Sequence, residues 1–100
     1  MNTITKVVII EDEEANSDRL QRMILNLRPT YQVVGILTSI QKSVEWFLAN
    51  EHPDLLFMDI QLTDGSSFEV FNLVEINCPV IFTTAYDEFA LKAFKFNSID

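Results

Sequence analysis

Three short runs constrain this chain more than any other feature: Val7-Val8-Ile9-Ile10, Leu55-Leu56-Phe57-Met58 and Val80-Ile81-Phe82. Each is apolar throughout, with no polar alternation, and each is shorter than an ordinary helix. Such runs suit strands covered on both faces, as in parallel sheets. The stretches between them have helical period. Leu20, Met23, Ile24 and Leu27 fall at i, i+3, i+4 and i+7 and draw one apolar stripe. The acids Glu11 to Glu14 stand at the positive end of that helix, and Pro29 stops it. Ile40, Val44, Phe47 and Leu48 draw a second stripe, opened by Thr38 and Gln41 as a capping box and closed at Glu51-His52-Pro53. Ser66 and Glu69 offer another capping box, ahead of a third helix lined by Phe68, Phe71 and Val74. Asp87 to Phe96 reads as a fourth helix, Tyr31 to Leu37 as a further strand, and Ile60 to Gly65 as a loop.

The order β-α-β-α-β-α-β-α predicts one α/β domain over residues 1–100, with a parallel sheet and helices on both faces. One hundred residues, 48% of them hydrophobic, suffice for a single core. A net charge of -8 opposes binding of nucleic acid by this segment. The single cysteine, Cys78, excludes an internal disulfide and suits a reducing compartment. No signal peptide and no membrane span are visible, so a cytoplasmic location is expected.

In a parallel sheet, ligands bind outside the carboxyl ends of the strands. Glu11-Asp12, Asp59 and Thr83-Thr84 all follow strand ends. The fold would gather them on one edge although they are far apart in sequence. Clustered carboxylates raise one another's pKa, and a hard divalent cation relieves the repulsion. Mg²⁺ suits such a set, with the backbone carbonyl of Gln61 as a further ligand. A carboxylate such as Asp59 can also attack phosphorus and form an aspartyl phosphate. Thr84 could then donate a hydrogen bond to the attached group. Taken singly, each feature has a commonplace reading: a solvated helix start for Glu11 to Glu14, a turn residue for Asp59, a helix end for His52. Their conjunction in this order on these elements carries the weight.

These residues resemble the receiver domains of two-component response regulators, and the resemblance covers the whole chain. It rests on the apolar strand before Glu11-Asp12, on His52 through Leu62 around Asp59, and on Phe82-Thr83-Thr84-Ala85. Ile81 through Phe94 looks especially like the LytTR-type subgroup, whose regulators usually carry a C-terminal DNA-binding domain. The resemblance implies a flavodoxin-like fold with strand order 2-1-3-4-5. It makes Asp59 the phosphoacceptor, Glu11, Asp12 and Asp59 the Mg²⁺ ligands together with the Gln61 carbonyl, and Thr84 the switch hydroxyl. It also implies a sensor histidine kinase as partner and no membrane association.

The chain departs from the family pattern in two ways. Thr63 stands where the family often has proline, four residues after the phosphoacceptor. Asn97 to Asp100 looks like the lead-in to a fifth strand that the family ends in Lys-Pro, so a truncated piece of a longer protein is expected. Loss of that strand would bare the edge of Val80-Ile81-Phe82, and dimerisation or strand exchange is expected. Two other functions compete: a pseudo-receiver that binds without taking phosphate, and a phosphohydrolase with an aspartyl nucleophile. The second commonly needs an acid two residues after the nucleophile, where this chain has Gln61.

Overall fold

A computed structural model of the chain describes residues 4–83. The elements are β1 (Thr5–Ile10), α1 (Glu14–Leu27), β2 (Tyr31–Leu37), α2 (Ile40–Ala49), β3 (Leu55–Met58), β4 (Gln61–Leu62), β5 (Gly65–Ser66), α3 (Glu69–Leu73) and β6 (Val80–Phe82). The expected fourth helix at 87–96 lies outside the described residues.

Four strands pair in parallel in the order β2-β1-β3-β6, and β4-β5 forms a separate antiparallel pair. The predicted flavodoxin-like order therefore stands, with β6 as the fourth strand of the main sheet. Crossovers between parallel strands are right-handed, so a reversal of direction across the sheet changes the face of the connecting helix. The chain moves from β1 out to β2, then back past β1 to β3. Accordingly α1 covers one face, and α2 and α3 cover the other.

The strands divide their side chains between these faces with period two. Val7, Ile9 and Leu55 pack with Ile24 of α1, supported by Leu20, Phe57 and Ile81. Val8, Ile10, Leu56, Met58, Val80 and Phe82 pack with Phe47 of α2 and Val70 of α3. Both faces are dry, which is why these strands carry no polar alternation.

The helices bury narrower faces than the sequence implies. On α1, Ile24 is buried and Leu20 half-buried, but Met23 is 53% and Leu27 67% exposed. Ser17 completes the inner face instead, its hydroxyl donating to the Glu14 carbonyl at 3.0 Å. On α2, Leu48 is exposed and Ser43 takes the buried position one turn before Phe47. Small serines thus occupy the buried faces of both helices, and larger apolar residues at the margins stay exposed.

The caps also differ from expectation. Ser39, not Thr38, caps α2, accepting from the Lys42 N–H at 3.1 Å. Ser66 does not cap α3; it accepts from the Phe68 N–H at 3.3 Å, one residue before a helix of five. The segment expected as a loop contains the β4-β5 hairpin, closed by Gly65 at φ 137°. That backbone conformation is open to glycine and strained for other residues.

Candidate metal centre at the strand tips

The backbone ladder of the sheet continues one residue beyond each strand and so places the site. The Glu11 N–H donates to the Leu37 carbonyl at 2.9 Å, Asp59 to Ile10 at 2.9 Å, and Thr83 to Met58 at 3.0 Å. The residues that follow β1, β3 and β6 are thereby held at one edge. Glu11, Asp12 and Asp59 each offer a carboxylate oxygen there, all within 4.8 Å of one another. Thr83 lines the same open cleft of about 390 Å³, together with Glu11, Glu13, Asn16, Arg19 and Asp59. Exposed Met23 lies along this cleft as well.

Glu11 is only 5% exposed and accepts from the Glu13 N–H at 3.0 Å. Its carboxyl is pushed above the usual value chiefly by burial, with the charge of Asp59 and the contact with Asp12 adding to it. The Glu13 N–H and the Asn16 side chain pull the other way. Asp59 is half-buried and also raised, again first by burial and then by the charges of Asp12 and Glu13. The N–H groups of Gln61 and Ile60 favour its ionised form. Buried acids that repel one another hold an excess of negative charge, which a cation would neutralise.

This donor set fits Mg²⁺. The ion takes hard oxygen ligands in an octahedron at about 2.1 Å, so opposite ligands stand about 4.2 Å apart. A set already within 4.8 Å needs little closing.

The three predicted acids are thus brought together. Gln61 is exposed in β4, two residues beyond Asp59, and its N–H acts on the Asp59 carboxylate. Thr84 lies outside the described residues. Three contributors escaped the sequence reading. Asn16 Nδ2 donates to Glu13 Oε1 at 3.2 Å, and an Arg19 guanidinium N–H donates to Asn16 Oδ1 at 2.9 Å, which builds a polar wall on the first turns of α1. Their i, i+3 spacing behind the acids was a visible signal. The third is Thr63, noted in the sequence only as standing where the family often has proline; its hydroxyl donates to Asp12 Oδ2 at 2.8 Å. Nothing local in the sequence pairs residues 51 positions apart.

Comparison with known proteins places the chain in a family. Residues 7–100 match the family described as response regulator receiver domain. The chain is 34% identical over 98 residues to the sensory transduction protein LytT of Bacillus anthracis, covering 95% of the chain and 39% of that protein. It is 36% identical over 97 residues to LytT of Enterococcus faecalis, covering 94% and 39%. It therefore spans about two-fifths of the length of the curated relatives it matches. Among solved structures, the response regulator PhyR from Brucella abortus superimposes with a TM-score of 0.75 at 30% identity, over 97% of this chain and 40% of that one.

Proposed function

The chain belongs to the response regulator receiver domains, with LytT and LytR regulators among its relatives, and from that premise we propose that it is a phosphoacceptor switch built on Asp59. Receiver domains are signalling modules that work with a histidine kinase. In this reading a phosphohistidine of the kinase is the donor. An Asp59 carboxylate oxygen attacks phosphorus, the new O–P bond forms as the P–N bond breaks, and the imidazole leaves with a proton from solvent.

Glu11, Asp12 and Asp59 would hold Mg²⁺, with the Gln61 carbonyl as a further ligand. The ion supplies neutralisation of charge on the phosphoryl oxygens. The chain's own residues do the rest. The Asp59 main chain is pinned to Ile10, which fixes where the nucleophile stands. The Ile60 and Gln61 N–H groups favour its ionised form, against the pull of burial. Thr84 would donate to the phosphoryl group once attached. The phosphorylated state would then bias a conformational equilibrium sensed by an output domain, of the LytTR DNA-binding kind. A cytoplasmic location belongs to the same reading; among the described residues no helix is long and apolar enough to cross a membrane.

The observation that carries the proposal is the meeting of Glu11, Asp12 and Asp59 at the tips of β1 and β3. It favours a phosphoacceptor over a pseudo-receiver, because the nucleophile and its ligands are all present together. The chain should be incubated with Mg²⁺ and acetyl phosphate, or with beryllofluoride, and read by mass spectrometry and NMR. One adduct is expected on the wild type and none on Asp59→Asn. An adduct that survives in Asp59→Asn, or a wild type that takes none, would sink the assignment.

A further inference from the structure

The turn of the β4-β5 hairpin sends two adjacent side chains to two different elements. Thr63 Oγ1 donates to Asp12 Oδ2 at 2.8 Å. The neighbouring Asp64 carboxylate accepts from the Ile40 N–H at 3.0 and 3.1 Å and from Gln41 N–H at 3.4 Å, at the start of α2. Gly65 follows at φ 137°, and a Cβ there would lie 3.3 Å from Ile40 Cδ1. The turn is therefore fastened at its base to a helix end, and Thr63 is presented from a fixed support.

Asp12 is less buried than Glu11 and stands beside it. Like charge from Glu11 and Asp59 drives an unrestrained carboxylate outward into water. A hydroxyl donor on Oδ2 opposes that drift. Hydrogen bonds from O–H to a carboxylate are short and among the stronger kinds. Carboxylate ligands of metals are themselves commonly held by hydrogen bonds, and loss of such a partner typically costs about 10- to 100-fold in metal affinity.

We propose that Thr63 is a positioning residue for the cation site: its hydroxyl holds the Asp12 carboxylate in its ligating orientation before the ion arrives. The inference rests on the proposed role of Asp12 and adds the residue that presents it. The ordering of a surface carboxylate is then completed on folding, so less of it opposes ion binding.

The test is Mg²⁺ titration of the unphosphorylated chain by calorimetry, with melting midpoints in EDTA measured alongside. Thr63→Val and Thr63→Ala are expected to weaken Mg²⁺ binding by about tenfold, the low end for an exposed contact. Thr63→Ser keeps the hydroxyl and is expected to bind within about twofold of wild type. All three should melt close to wild type in EDTA, which a merely structural role would not predict. Wild-type or tighter affinity in Thr63→Val, or a Thr63→Ser as weak as Thr63→Val, overturns the positioning role alone. A wild type that binds no Mg²⁺ overturns the site reading beneath it.

Discussion

At the scale of single residues, the groups around Asp59 agree on its position and disagree about its charge. Two N–H groups favour the anion, while burial and neighbouring acids favour the proton, and the balance lies above the usual carboxylate value. Glu11 shares this condition. An acid whose folded pKa is raised binds protons more readily in the folded state than in the unfolded one. Its contribution to stability is full below the unfolded value and is lost as pH rises through the folded one. Without metal, the ionised site therefore opposes folding at neutral pH. Asp59→Asn removes that opposition. In EDTA at pH 7.5 it is expected to melt above wild type. The gap should narrow as pH falls towards 4, and a constant or inverted gap across that range would refute the account. Glu11, Asp12 and Asp59 were legible because charge directly after an apolar strand is conspicuous. Thr63 was not, because a hydroxyl announces no partner until the fold supplies one.

Among the elements, the hairpin is the part that pattern reading missed most clearly. Its strands have two residues each, too few to show a period of two. The signal that remained was Asp64-Gly65, a turn dipeptide placed in what reads as a loop. Gly65 fixes the hairpin that carries both Thr63 and Asp64. Gly65→Ala should cost about 1–3 kcal/mol in chemical denaturation, because it forces a side chain into positive φ. Denaturation midpoints that match wild type would show that the turn relaxes freely. Strand positions were read well because burial on both faces leaves an uninterrupted apolar run. Helix faces were read less well, since period alone cannot distinguish a serine packed against the sheet from a leucine left at its margin. Ser17 and Ser43 took buried places, while Leu27 and Leu48 did not. The same uncertainty moved the cap of α2 from Thr38 to Ser39, one hydroxyl further along.

Across the whole molecule, the apolar runs and helical stretches pointed to a parallel sheet covered on both faces, while its strand order came from the resemblance to receiver domains. The acidic balance acts at this scale too. A net charge of -8 repels itself, so added salt should stabilise the fold by screening. Mg²⁺ should do more than screen. A ligand that binds only the folded state at 100 times its Kd adds about 2.7 kcal/mol. At matched ionic strength, MgCl₂ is therefore expected to raise the melting midpoint of wild type beyond NaCl, and the excess should vanish in Asp12→Asn. Equal midpoints in the two salts would argue that the acids form only a diffuse negative surface.

The amides of Glu11, Asp59 and Thr83 are all tied to the strand beside them, so the main chain at these three positions is anchored independently of which side chain it carries. The chemistry of the pocket can be rewritten in place: glutamine, asparagine or a longer acid at these positions inherits the same anchorage and differs only in what it extends towards the solvent.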